Sequence, residues 1–323
     1  MIKSFDGRLR FFWRQPESGW WEAATQLRIH ELGRLTRAVT QEKSIYHYTT
    51  LGALKSIIEN KELWLTDYEY LNDASEIRHG VEIAREVFAS AVSDASSESA
   101  AVLRALLEIP QDQLPRICVS CFSTQRDSLT QWKGYSGDQS GVAIAIQPCS
   151  FLEGLTFPRE LHTAEILYDP TTKRQLLQGF FHDWAALRDK DMNAGNALPG
   201  LYESLPRTYF VELLAMMKDD AFSDERELRY MYLEDKSGFL TSLDGRASKR
   251  FRSSGPLLIP YTTTMDLANR SSIGEASEYR LNLQEVIVGP HPYKDLIVSG
   301  IREFLVEHGY SDVVVSPSKI PFR

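Results

Sequence analysis

The sequence predicts an α+β fold, with twisted, mostly antiparallel strands flanked by helices. Three observations lead there. Short β-rich runs such as "IYHYT", "RICVSCFS", "GVAIAI" and "EVIVGP" outnumber what a helical bundle allows. Runs with apolar residues at helical spacing lie between them. The alternation is too irregular for a doubly wound sheet, and neither G-x-G-x-x-G nor a P-loop is present.

Taken in order, residues 1–42 form a separate aromatic and helical segment. Phe11, Phe12, Trp13, Trp20 and Trp21 precede the helical run "EAATQLRIHELGRLTRAV". Aromatics this close in sequence need cover, either from the main body or from a second protomer in a homo-oligomer. Residues 43–323 read as one α+β domain. Residues 45–49 form a strand, and "TLGALKSIIENK" a helix through Leu51, Leu54, Ile57 and Ile58. "ELWLTD" is a short strand. "LNDASEIRHGVEIAREVFASAV" is a helix whose start pairs Asp73 with Glu76 in a capping-box-like spacing. "AAVLRALLEIP" is a helix stopped by Pro110. "RICVSCFS" is a strand, "DSLTQWKGYS" a short helix or turn, and "GVAIAI" and "AEILYD" are strands. Residues 171–218 read as helical, broken around "NAGNALPG". "ERELRYMYL" alternates like a strand, and residues 236–256 read as a Ser/Gly/basic loop. "EVIVGP", a helix over "YKDLIVSGIREFLVEHG", and a closing strand in "DVVVSPSKIPF" complete the chain.

Composition narrows the function classes. The chain has 323 residues, 43% hydrophobic and 25% charged, so it buries a sizeable core. Its net charge of -8 opposes binding to nucleic acid or an anionic membrane unless basic residues cluster locally. No apolar run approaches the roughly 18 residues of a membrane span. The N-terminus lacks a signal-peptide centre, and three cysteines are too few for a disulfide framework, so the expected location is cytoplasmic. Cys118 and Cys121 form a lone C-x-x-C on a strand, where residues three apart face opposite sides, so they read as core thiols. His30, His79, His162, His182, His291 and His308 show no ligand spacing, so no metal is expected.

Four segments carry polar chemistry beyond what a core needs. In "IYHYTT", period two puts Ile45, His47 and Thr49 on one face and Tyr46 and Tyr48 on the other. "LWLTDYEYLNDASE" sets Tyr68 and Tyr70 in a loop, where binding residues often sit. "CFSTQRDSLTQWKGYSG" places Ser123 and Thr124 at a strand mouth, with Trp132 and Tyr135 three apart on a short helix. "SDERELRYMY" aligns Glu225, Glu227 and Arg229 on one strand face. There the arginine relieves the carboxylate repulsion. Arg246, Lys249, Arg250 and Arg252 add a basic stretch able to grip phosphates.

Together, "YHYT", "LWLT…LNDASE", "CFS…WxxY…G", "ExExR" and the terminal "SKIPFR" resemble the prokaryotic family called domain of unknown function 2971. The resemblance covers about residues 45–323. Gln131 stands where that family more often has Met. A second resemblance is to ADP-ribosyltransferases, which surround NAD with a His strand, a hydroxyl-bearing region and a late glutamate strand. His47-Tyr48-Thr49, Ser123-Thr124 and Glu225-Arg226-Glu227 are similar to those elements, in that order.

That resemblance implies an ADP-ribosyltransferase-like fold using NAD. The reaction would be ADP-ribosyl transfer to a macromolecule or NAD hydrolysis, in a bacterial defence or toxin-type effector. Cleaving the nicotinamide–ribose bond builds an oxocarbenium-like cation, which a carboxylate stabilises. Glu227 takes that role, Glu225 serves the acceptor, and His47 holds a ribose hydroxyl. The Tyr48 backbone reads the amide, and Tyr68, Tyr70 or Tyr135 stacks on the ring. Two alternatives stay open. If Arg229 neutralises Glu227, the protein is a non-catalytic nucleotide-binding sensor or interaction module. The basic stretch motivates an RNA-directed phosphotransferase or nuclease.

Overall fold

In the computed structural model the described residues are 44–71, 75–109, 115–135, 141–147, 161–195, 199–234, 248–270 and 280–322. The expectations for residues 1–42, the Asp73 cap, Pro110 and Arg246 lie outside them. Strand β1 (Ile45–Thr50) leads into α1 (Leu51–Asn60), then β2 (Trp64–Asp67) and a 3₁₀ turn (Tyr68–Tyr70). Helices α2 (Ser75–Ala91) and α3 (Ser97–Arg104) precede β3 (Arg116–Ser123), α4 (Leu129–Tyr135), β4 (Gly141–Ile146) and β5 (Leu161–Glu165). Long helices α5 (Pro170–Asn193) and α6 (Pro199–Leu214) follow. A 3₁₀ turn (Asp220–Glu225) then opens β6 (Glu227–Glu234). β7 (Arg250–Ser254), β8 (Leu257–Thr263), α7 (Thr264–Arg270), β9 (Leu283–Val288), α8 (Lys294–Glu307) and β10 (Val314–Pro317) end the chain.

Local chemistry sets these boundaries. Thr50 caps α1 by accepting the Ala53 N–H, and Leu54, Ile57 and Ile58 form its buried stripe. α5 starts with Pro170 in its first turn and an Asp169 carboxylate accepting the Thr172 N–H at 2.7 Å. β4 is buried along its whole length, as "GVAIAI" requires.

The ten strands of the described residues form one sheet, eight of them in the order β10-β9-β4-β1-β3-β2-β8-β7. β6 lies on the far edge of β3, and β5 lies beyond β6. Pairing is antiparallel except for β9 and β10, which run parallel because α8 carries the chain back between them. The expected mixed fold with a largely antiparallel sheet is therefore present. β3 pairs with β6 along all eight residues from Arg116 to Ser123. Its other edge is shared: Ser123 meets Tyr46 of β1, while Cys118 and Val119 meet β2. The sheet forks there.

Helices cover both faces. One face packs Val119, Met231 and Ala164 against α2, α5 and α6. The other packs Ile45, Phe122, Leu228 and Tyr230 with residues of α1, α7 and α8. A smaller cluster of Tyr48, Trp132, Ala143 and Ile287 seats α4 on β1, β4 and β9. No helix among the described residues is long and apolar enough to cross a membrane.

Two expectations need correction. The supposed loop at 236–256 contains β7, which turns through Gly255 (φ 53°) into β8. Four of the five β7 residues are exposed and the fifth is half-buried, so the strand carries no apolar alternation to read. The strand expected at "AEILYD" sits earlier, at Leu161–Glu165.

Candidate functional site

Register decides which predicted residues meet. Ser123 lies opposite Glu227, and Cys121 opposite Arg229. Tyr46 lies opposite Ser123. Tyr46, Tyr48, Cys121, Ser123, Glu227 and Arg229 therefore share one sheet face, while His47, Phe122 and Tyr230 share the other. The opposition of Ile45, His47 and Thr49 to the two tyrosines is as the period-two reading gives it. The step from there to Glu227 is not. His47 and Glu227 project from opposite sides of the sheet, because one odd residue offset across a ladder reverses the face.

His47 has local work instead. Beyond the Tyr46–Ser123 pairing β1 and β3 diverge, and His47 Nδ1 lies 2.8 Å from the Cys121 carbonyl oxygen. Its ring packs near Phe122, with centroids 5.5 Å apart. Burial lowers its pKa, a shift the carbonyl contact partly offsets, so the ring is neutral and donates from Nδ1. Thr49 shares its strand face, and Thr50 caps α1.

The aromatics separate in the same way. Tyr48 is buried, donates its hydroxyl to the Gln125 carbonyl at 2.7 Å and accepts from the Ser128 N–H at 3.0 Å. Trp132 is buried edge-on to Tyr48 and donates Nε1–H to Asp127 at 2.7 Å. Tyr68 is buried beneath the Arg229 guanidinium, 5.5 Å from its ring centre. Tyr70 is exposed at the end of its 3₁₀ turn. Although three apart on α4, Trp132 and Tyr135 have different surroundings: Trp132 is in the core and Tyr135 is 37% exposed.

The chemistry gathers around Glu227, which is 4% exposed. Arg229 Nε lies 2.6 Å from its Oε1, and Arg229 Nη2 lies 3.1 Å from Oε2. Lys218 Nζ reaches Oε2 at 3.1 Å and Glu225 Oε2 at 2.7 Å. Arg229 Nη1 also donates to the Ala215 carbonyl at 2.7 Å. Burial raises the Glu227 pKa, but the Arg229 and Lys218 charges outweigh it and hold the carboxyl at about 2. Tyr168 accepts the Glu227 N–H through its hydroxyl at 3.1 Å. Burial, reinforced by the Glu227 charge, pushes the Cys121 thiol up. Burial and then the Cys121, Glu225 and Glu227 charges raise Tyr135 as well.

Glu225 is not on the strand. It ends the preceding 3₁₀ turn, and Arg226 (φ 44°) reverses the chain into β6. The Glu225–Glu227 proximity thus comes from the turn and is bridged by Lys218. The Ser123 hydroxyl donates to the Glu225 carbonyl at 2.7 Å and accepts the Gln125 N–H at 3.1 Å, so it fixes that turn. The Thr124 N–H donates to the Arg226 carbonyl at 3.1 Å. From α4, Gln131 Nε2 reaches the Glu225 carbonyl at 3.3 Å.

Sequence reasoning missed Lys218, Cys121 and Tyr168. Cys121 was available from period two, since it shares a face with Ser123. Lys218 and Tyr168 had no such signal, because they enter from separate segments through the bridge between Leu167 and Met217. Behind Lys218, the buried Lys173 donates Nζ–H to the Lys218 carbonyl at 2.7 Å and lies 3.3 Å from His79 Nε2. Within the basic stretch, Arg250 pairs with Glu62 at 3.4 Å and Asp266 at 2.9 Å, and Arg252 Nη2 lies 3.4 Å from Thr66 Oγ1. Among the described residues no group of three His, Cys, Asp or Glu could hold a metal ion. Cys118 and Cys121 are free thiols whose side chains join opposite faces.

Comparison with known proteins finds no curated protein and no solved structure that matches, and nothing in it supports the ADP-ribosyltransferase resemblance. One family does match. Its matched segment runs from Gln131 in α4 to Tyr230 in β6, and so contains Tyr135, Tyr168, Lys218, Glu225, Glu227 and Arg229. Residues 131–230 match the model of the family described as Protein of unknown function (DUF2971).

Proposed function

We propose that this protein binds a nucleotide, NAD among the candidates, without turning it over, beside Glu225 and Tyr135. The observation that carries this reading is the double pairing of Glu227 by Arg229 and Lys218. A carboxylate already neutralised has little field left for a developing sugar cation. Glu225 is different. Its side chain retains 16% exposure, and among the described residues its salt bridge is to the Lys218 ammonium. It suits a ribose diol, and the part-exposed Tyr135 ring suits a flat base or nicotinamide.

The transfer reading keeps one favourable observation. Ser123 and Glu227 are register partners, so two of its three elements meet, although His47 does not join them. One experiment separates the readings. Thermal shift and calorimetry with NAD, ADP-ribose and ATP are run alongside an assay for released nicotinamide. Binding without release is expected, with the melting temperature rising by several degrees at about a hundredfold excess over Kd. Glu225→Ala abolishes the shift. If no nucleotide moves the melting temperature, the binding reading is lost. Nicotinamide release by wild type, absent in Glu227→Gln, replaces it with transfer or hydrolysis.

A further inference from the structure

We propose that residues 318–322 form a strap that sets helix α4, and through it the placing of Gln131 and Tyr135 beside Glu225. The strap crosses the end of β9, where the Ser318 N–H donates to the Val288 carbonyl at 2.7 Å. Its main catch is Asp127, in the loop that starts α4. Asp127 Oδ1 accepts the Ser318 hydroxyl at 2.7 Å, and Oδ2 accepts the Lys319 N–H at 2.8 Å. The same Oδ1 accepts Trp132 Nε1–H at 2.7 Å. One carboxylate thus ties the strap to the helix. The Ile320 N–H closes the strap onto Ser318 Oγ at 3.0 Å, and Ile320 packs against the Tyr48–Trp132 cluster.

A second tie runs alongside. Arg126 Nε lies 3.0 Å from Glu285 Oε2, and its Nη2 lies 2.9 Å from Ser316 Oγ. On its other side the loop is held by the Tyr48 hydroxyl, through Gln125 and Ser128. α4 itself reaches the candidate site: Gln131, in its first turn, meets the Glu225 carbonyl, and Tyr135, at its end, stands near Glu225, Glu227 and Cys121. α4 is only seven residues long, too short to hold its shape alone, so its position is borrowed from these ties. The terminal "SKIPF" therefore acts on the Trp132–Tyr135 helix from outside the matched segment.

Hydrogen exchange tests this on the full chain, a chain ending at Pro317, Ser318→Ala and Ser318→Thr. The Leu129–Tyr135 amides are expected to exchange about tenfold faster in the shortened chain and in Ser318→Ala. Ser318→Thr, which keeps the hydroxyl, restores the slow rate, and the β4 amides are unchanged throughout. Unchanged exchange at Leu129–Tyr135 in the shortened chain overturns the proposal. So does equal acceleration of β4 in Ser318→Ala, which means general loosening. A binding arm rests on the nucleotide reading: ADP-ribose binds about tenfold more weakly to the shortened chain. If the full chain shows no ADP-ribose heat, the nucleotide reading fails, and the exchange comparison still decides the strap.

Discussion

At Glu227, burial and pairing pull in opposite directions, and pairing wins. Removing the carboxylate by Glu227→Gln leaves Arg229 and Lys218 buried with less counter-charge, at a cost of about 3–5 kcal/mol. The folded carboxyl titrates at about 2 against an ordinary value of 4.5, so its contribution is present above about pH 4.5 and lost as pH falls towards 2. Urea unfolding of wild type and Glu227→Gln is therefore expected to show a wide stability gap at pH 7 that narrows at pH 3. A gap independent of pH would contradict the pairing. His47 has the same sign by another route. Burial depresses its pKa below 6.5, so its contribution holds above that value and is lost as pH falls through the folded one. His47→Leu strands the Cys121 carbonyl and costs about 1–3 kcal/mol at pH 7. It also removes part of the acid sensitivity below pH 6.5, readable from melting temperatures at pH 7.5 and 5.5.

Among the elements, α4 shows how little a short helix controls by itself. Its Trp132 ring lies against Gly289, where an added Cβ would meet the Gly141 carbonyl oxygen at 3.0 Å and ring carbons at 3.0 and 3.2 Å. Neither neighbour gives way easily. The Gly141 oxygen accepts the Gly289 N–H, and the indole is tied to Asp127. Gly289→Ala is expected to cost about 1–3 kcal/mol and to speed exchange in Leu129–Tyr135 before β9. Differential exchange mass spectrometry reads both. The β7–β8 hairpin is the opposite case. Its turn is set by one glycine, and its outer strand is exposed, so pairing with β8 rather than an apolar pattern makes it a strand.

Across the molecule, the forked sheet with helices on both faces puts the two notable polar groups on separate sides. The net charge of -8 opposes a polyanion, and Arg250, central to the basic stretch, is already paired with Glu62 and Asp266. Filter binding at low salt is expected to retain no RNA on the full chain, with Arg250→Ala and Arg252→Ala changing nothing. Salt-sensitive retention lost in those variants would restore the RNA-directed reading.

Periodicity and capping made most of the fold legible. The strand at 45–49, the Leu54/Ile57/Ile58 stripe, the long helical stretch to Lys218 and the strand carrying Glu227 are local patterns that the chain states directly. The same patterns assigned faces within a strand correctly, for His47 against Tyr48 and for Cys118 against Cys121. They could not say which faces of different strands coincide. That depends on register, a non-local choice in which one residue of offset turns a side chain to the other side of the sheet. Register alone parted His47 from Glu227. Lys218 reached both glutamates through a connection with no periodic signal, and the terminal "SKIPF" found Asp127 across nearly two hundred positions of sequence. The sequence by itself determined most of the elements and the charges they carry; tertiary packing made β7 a strand and decided which charges neutralise one another.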